Sequence, residues 1–416
     1  MYSLIRWFLI FCPLLAWGQA SQDASFELLL AQAVQQHPLV VSKRELVVAA
    51  EHRLTAAQMQ RLPTLSLQSA SRSTQGAEPL STLRLQQPLF AGGKIDATID
   101  IAQAEWRDAQ QAMAATQKEV FIKAVNLLAD HYKFQARLKI SLENVNQHQL
   151  LAGVIERRAQ AQINPESDLW LGQSRLLQAQ MELAQVQTSV EKSRVRLQEF
   201  WGRSFVLLTE PLVKSRLIAH DQQLMQEAFA TSPERLKLKA QIDMAAAEIQ
   251  QKEAETLPTV NLRYDKRAGY SQWTPNFPPE QTTLEVTFAP GAGWSVMHQV
   301  QAAKSRRDAA QAQLMAFDRE LADRVQTLHA DANMYWRQLD WAQKNQQLSS
   351  EVAESFARQF VVGRKTWLEV LNAQREAASL AQTAIDLHWS ALVTQWQVLA
   401  ETGQWVQVCK PHCVND

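Results

Sequence analysis

Glycine and proline are missing from three long stretches of this chain, residues 94–152, 294–362 and 364–402. These residues are the strongest breakers of helices. The first stretch ends at Gly153, which has no proline beside it, so the spacing predicts a helix over about 94–163. At ~1.5 Å per residue that helix is ~100 Å long, well beyond a globular helix. A coiled coil or a barrel of helices is the expected architecture. Composition agrees, with 57 Ala and 50 Gln against 12 Gly and 14 Pro in 416 residues. Such a balance argues against an α/β enzyme, whose turns need more glycine.

Periodicity sharpens the reading. Leu314, Phe317, Leu321, Val325, Leu328, Ala332, Tyr335, Leu339 and Ala342 step by three and four. Ile385, Trp389, Leu392, Trp396 and Leu399 do the same. Sustained spacing of this kind is the seam of helices packed nearly parallel.

The chain also repeats itself. Residues 33–67 align on 228–262 without gaps, matching Ala33 with Ala228, Pro38 with Pro233 and Leu62-Pro63-Thr64 with Leu257-Pro258-Thr259. Further on, Gly92 falls on Gly293, and Leu171 and Arg175 fall on Leu371 and Arg375. A tandem duplication predicts two similar halves, 21–210 and 211–403, followed by a tail over 404–416. Each half reads as a short helix (26–36; 220–231), a second helix ending at Pro63 or Pro258, a strand pair, and two long helices. The long helices are expected at about 94–163 and 166–202, then 294–362 and 365–402.

The strand pairs, about 64–88 and 259–289, alternate apolar and polar residues. Leu65 and Leu67 flank Ser66, Leu83 and Leu85 flank Arg84, and Val260, Leu262 and Tyr264 interleave with Asn261 and Arg263. Leu284, Val286 and Phe288 alternate with Glu285 and Thr287. Gly76 and Pro79 would turn the first pair, and 269–280, with Pro275, Pro278 and Pro279, the second. Period-two alternation with one apolar face suits a transmembrane barrel, although hairpins lying on a soluble helical body would read alike. Four strands do not close a barrel, since bacterial outer-membrane barrels start at about eight. A lipid-exposed sheet edge is not tolerated. Either the hairpins are not in a membrane, or several chains share one barrel, and three chains would supply twelve strands. Phe90, Tyr264, Tyr270, Trp273, Phe277, Phe288 and Trp294 would contribute to its interfacial girdles.

Residues 1–20 have the form of a secretion signal. Arg6 precedes an apolar run from Trp7 to Trp17, with Gly18 and Ala20 at the −3 and −1 positions of a cleavage site. Cys12 is preceded by Phe11, where a lipoprotein signal wants a small residue. Forty-two basic and forty-two acidic side chains cancel, leaving no field that would attract nucleic acid.

The signal, the duplication, the helix–hairpin–helix halves and the segment Gln87-Pro88-Leu89-Phe90-Ala91-Gly92-Gly93-Lys94 together resemble the TolC-like outer-membrane factors. So does the run from Val362-Gly363-Arg364-Lys365-Thr366-Trp367 through Gln374. The resemblance covers roughly 25–403. It implies a mainly α fold with a small β part, in which a homotrimer builds a shared twelve-stranded barrel above a long α-helical tunnel. It implies partners too: a periplasmic adaptor, an inner-membrane transporter expected to be of the ABC type, and outer-membrane lipid. The Trp367–Glu376 segment is most similar to the branch that exports large adhesins by type I secretion. Small-molecule efflux is the alternative, and a soluble periplasmic coiled-coil scaffold is the rival of a different class.

The resemblance also assigns candidate sites. The turn around Lys365 would form the periplasmic tip with its counterpart around Asn164, Pro165 and Asp168. Asp168 and Lys365 match positions that help lock the tip in family members, and Phe360 stands where a Tyr often sits. Lys lacks the bidentate fork of Arg, and Phe lacks a hydroxyl, so a softer lock is expected, with two ordinary solvated charges as the alternative. Glu369 and Asn372 match the carboxylate rings of the tunnel. Three copies of Glu369 would favour cations, while the same side chain is spaced to pair with Lys365 at i,i+4. Asn164, Pro165, Val362, Gly363 and Arg364 would meet the adaptor.

No enzyme motif is present: the nine His show no HExxH spacing, and neither a P-loop nor G-x-S-x-G occurs. No cofactor is expected. Cys409 and Cys413, in an exported chain, are expected to form a local disulfide, with two free thiols or a metal site as alternatives.

Overall fold

The computed structural model describes residues 26–70, 80–203, 221–268, 278–288 and 295–406. The signal segment, Gly76, Pro79, Tyr270, Trp273, Pro275, Phe277, Trp294, Cys409 and Cys413 lie outside these residues.

The first half consists of α1 (Phe26–Gln36), α2 (Pro38–Met59), β1 (Thr64–Ala70), β2 (Leu80–Phe90), α3 (Lys94–Gln160) and α4 (Glu166–Trp201). The second consists of α5 (Asp221–Thr231), α6 (Pro233–Ala254), β3 (Thr259–Ala268), β4 (Glu280–Thr287), α7 (Ser295–Val361) and α8 (Trp367–Glu401). The duplication is kept in the helix lengths. α1 and α5 have 11 residues each, α2 and α6 have 22, α3 and α7 have 67, and α4 and α8 have 36 and 35.

Local chemistry sets the ends. Pro38 and Pro233 open α2 and α6, behind the caps His37 and Ser232, where a missing N–H costs nothing. Gly92 and Gly93, both at positive φ, release the chain from β2 into α3. α3 runs through Gly153 and stops at Gln160, three residues short of the expected Ile163. The cause is Gln162, which takes φ 58° and lets the amides of Ile163 and Asn164 bond back to the Arg158 carbonyl. That is a left-handed helix closure made without glycine.

In the long-helix layer α4 packs on α3, α3 on α8, and α8 on α7. Nearer the sheet, α2, α3, α6 and α7 follow in that order. The main core sits where α1, the middle of α3 and the end of α8 meet, around Leu29, Leu30, Phe121, Leu128, Trp389 and Trp396. A second lies at the far tip, around Ile155, Phe360, Trp367 and Val370.

The four strands form one antiparallel sheet in the order β1-β2-β3-β4. The central β2–β3 ladder joins the two halves, and its register is irregular between Pro88 and Phe90, where proline donates no ladder bond. Leu65 and Leu67 sit opposite Leu85 and Leu83, Leu85 is opposite Tyr264, and Leu262 is opposite Leu284. They form one apolar face, on which Leu65, Leu67, Leu284 and Val286 are all more than 60% exposed. The other face is polar and carries Arg84, Arg263, Asp265, Arg267 and Glu285. No helix among the described residues is long and apolar enough to cross a membrane.

Candidate gate and channel lining

The two long hairpins turn at one end of the molecule. In the α7–α8 turn Gly363, at φ 74°, allows the amide of Arg364 to bond to the Gln359 carbonyl. The next helix is held by a capping box. The Glu369 amide donates to Thr366 Oγ1 at 3.3 Å, and Glu369 Oε2 accepts from the Thr366 amide at 2.9 Å and hydroxyl at 2.8 Å. Such reciprocal bonding satisfies donors that a helix N-terminus leaves open.

Lys365 Nζ donates to Glu369 Oε1 at 2.7 Å and sits 4.3 Å from the centre of the Phe356 ring. The Lys365 ammonium, followed by the Thr366 amide and hydroxyl, lowers the Glu369 pKa to about 2. Within the chain Lys365 thus joins Glu369 in the i,i+4 pair that the spacing allowed. Asp168 is engaged elsewhere, accepting from Asn164 Nδ2 at 2.9 Å across the α3–α4 turn.

Phe360 is buried in the tip core, with the Arg158 guanidinium 4.5 Å from its ring centre. The aromatic face attracts the cation. Pro165 caps α4 without a side-chain hydrogen bond. Val361 and Val362 are exposed at the very end, as is Ile163. Asn372 lines a small cavity between α3, α4 and α8 with Asn144, His148 and Arg175. There burial, then the Arg175 charge, lowers the His148 pKa, with Glu182 opposing.

The Thr366–Glu369 box is legible as T-x-x-E before an apolar run. The polar-face cluster was not anticipated, although its arginines stand at alternate positions, 263 and 267 around Asp265. Among the described residues no group of His, Cys, Asp and Glu is placed to hold a metal.

Comparison with known proteins gives a consistent result. The model of the outer membrane efflux protein family matches residues 29–203 and 224–403. Among solved structures the chain is similar to the outer-membrane protein VceC of Vibrio cholerae, at 16% identity over 93% of this chain and 98% of that one, with a TM-score of 0.78. It is also similar to the Campylobacter jejuni CmeC outer-membrane channel, at 13% identity over 93% and 87% of the chains and a TM-score of 0.78. The open state of the Neisseria gonorrhoeae MtrE channel matches at 14% identity over 91% and 88%, with a TM-score of 0.70. At these identities the likeness is one of fold. No curated protein matches the sequence.

Proposed function

We propose, from the premise that this chain belongs to the outer membrane efflux protein family, that it is the passive outer-membrane duct of a tripartite export system and works as a homotrimer. The family consists of channels, not enzymes, that sit in the Gram-negative outer membrane with a long helical part in the periplasm.

The observation that carries the trimer is that every layer of the chain ends in two unsatisfied edges. The sheet leaves β1 and β4 unpaired on their outer sides. In the helical layer the edge elements are α4 and α7. α4 exposes Trp170, Leu177 and Met181, and α7 exposes Trp341, Leu348 and Val352. Both stripes step by seven and then four. Each edge pair joins a first-half element to a second-half element, so the first-half edge of one copy fits the second-half edge of the next. A head-to-tail contact of that kind closes into a ring when the rotation allows. Twelve strands close the barrel and remove the edges that lipid forbids. The exposed leucines and valines then face lipid, and the polar face lines the lumen.

At the far end, the turns bearing Asn164, Pro165, Val362, Gly363 and Arg364 are the adaptor contact. Asp168, Lys365 and Phe360 hold the aperture, and Glu369 and Asn372 line it. The Lys365–Glu369 bond is half-exposed and worth little by itself, as suits a lock that must open. The Trp367–Glu376 segment supports type I secretion of a large protein through an ABC-type transporter and its adaptor. The second reading, small-molecule efflux, is favoured by the description of the matching family.

Deleting the gene in the native host separates the two. Loss of a large surface protein with unchanged drug susceptibility supports type I secretion. Increased susceptibility with the surface protein intact supports efflux. For the duct itself, purified trimers in a planar bilayer should conduct, and Lys365→Ala should raise single-channel conductance. Unchanged conductance would remove Lys365 from the gate.

A further inference from the structure

The polar face of the sheet carries a charge cluster that the duct reading leaves without a role. Asp265 is 2% exposed on this face. Arg84 Nε donates to its Oδ1 at 2.8 Å. Arg263 Nε and Arg267 Nη2 lie 3.3 and 3.6 Å from its Oδ2. Arg263 also bonds to Glu285 at 3.0 Å, and Arg267 Nη1 reaches the Pro278 carbonyl and Gln281 Oε1 at 3.4 Å. Three guanidiniums from two neighbouring strands therefore converge on one carboxylate. Two carboxylates against three arginines leave one net positive charge per chain on the lumen face of the described strands.

We propose that this cluster, repeated three times around the closed barrel, is an anion-selecting collar in which Arg84, Arg263 and Arg267 favour anionic over cationic permeants. The proposal rests on the trimeric duct described above. Three features argue for it. Arginine stays charged under all working conditions. The network fixes the guanidiniums in place, with Arg263 and Arg267 four residues apart and thus spread over ~13 Å of the barrel wall. A ring of fixed like charges in a narrow lumen concentrates counter-ions, which is how charged rings select in pores. The rival filter is neutralised where it stands, because each Glu369 is paired with Lys365 of its own chain. The permeants that the collar favours are small inorganic anions and carboxylate- or phosphate-bearing solutes.

The test is the reversal potential of trimers in a planar bilayer under a KCl gradient. At 0.1 M salt, where screening reaches only ~10 Å, the wild type should prefer chloride. Arg267→Gln brings the net lumen charge of each chain from plus one to zero and should move the permeability ratio towards unity. Glu285→Gln raises that charge to plus two and should strengthen the chloride preference. It removes no member of the Asp265 clamp, so it tests the collar even if Arg267→Gln fails to assemble. In 1 M salt, with a screening length of ~3 Å, the differences should shrink. A potassium preference in the wild type, or reversal potentials unmoved by both variants, would overturn the collar and leave the duct standing. Trimers that insert without conducting would sink the duct reading and the collar together.

Discussion

Lys118 is a buried charge whose removal should weaken this fold. It sits in the middle of α3, with only 4% of its side chain exposed. Nζ lies 2.6 Å from Glu234 in the first turn of α6 and 3.0 Å from Glu401, the last residue of α8. Arg324 of α7 approaches Glu401 at 3.5 Å. This network ties α3, α6, α7 and α8 together beside the main core. Removing one member of a buried pair typically costs about 3–5 kcal/mol, because the other charge is left uncompensated. For Lys118→Met the lower end, ~3 kcal/mol, is expected, since Glu401 retains Arg324 and the Glu234 side chain is 27% exposed and can hydrate. Glu401→Gln should cost less, about 1–2 kcal/mol, because Lys118 keeps Glu234 and the amide can still accept a bond. The double variant leaves no buried unpaired charge at the Lys118–Glu401 contact. Its cost should fall short of the sum by about 2 kcal/mol, a coupling of the size seen for groups in one network. Urea unfolding of the detergent-solubilised protein at fixed concentration reads these differences. Tryptophan fluorescence is the probe, because Trp396 and Trp405 pack on Phe121, one turn from Lys118. An additive double variant, or a Lys118→Met cost below about 1 kcal/mol, would show that these charges do not act as a unit.

Gly92→Ala should impair assembly. At φ +63° an added Cβ would lie 2.8 Å from Leu257 Cβ and 3.0 Å from the Ala254 carbonyl. Backbone strain of about 1–2 kcal/mol adds to overpacking of about 1–3 kcal/mol. Gly93→Ala, at φ +87° with nothing within 4 Å, isolates the strain, so the yield of trimer on size exclusion should fall further for Gly92→Ala; equal yields would remove the Leu257 contact from the account. A pH series tests the tip cap. Glu369, at about 2 instead of the ordinary 4.5, contributes stability that is present above about 4.5 and lost as pH falls through about 2. Amide exchange at the start of α8 should thus keep full protection from pH 7 to about 5 once the intrinsic rate is corrected, and lose it progressively from about 4.5 towards 2; protection unchanged over that lower range would contradict the bonding of Glu369.

Helix lengths and the sheet were legible because breakers and periodicity are local. Pro38, Pro233, Gly92 and Gly363 each mark an end that the chain takes. The end of α3 was less legible, because Gln162 adopts a left-handed turn that its residue type does not announce. The candidate site was legible only where its partners are close in sequence. Glu369 lies four residues from Lys365, and both readings of it could be stated in advance. Lys118 and Glu401 are 283 positions apart, and Arg84 and Asp265 are 181 apart. No spacing rule reaches across such distances. Both pairs form because the duplication folds the second half onto the first, and the sequence states that arrangement only as a repeat.

The duplication also shows where the halves have parted. α3 and α7 match in length to the residue, yet the turns that follow them are built differently. One is closed by Gln162 and Pro165, leaving α4 without a side-chain cap; the other is closed by Gly363, with Thr366 and Glu369 boxing the start of α8. A capping residue is worth about 1 kcal/mol, so the α4 side of the tip is held less firmly than the α8 side. Selection on a rigid rod would have no use for such a difference, because the two hairpins lie side by side in one layer. A tip that opens by moving one hairpin against the other does have a use for it, as the firm hairpin then gives the soft one a fixed wall to close upon. Glu369 and Lys365 lie on the capped side, whereas Asp168 and Asn164, their side chains bonded to each other across the turn, lie on the side whose helix has no side-chain cap.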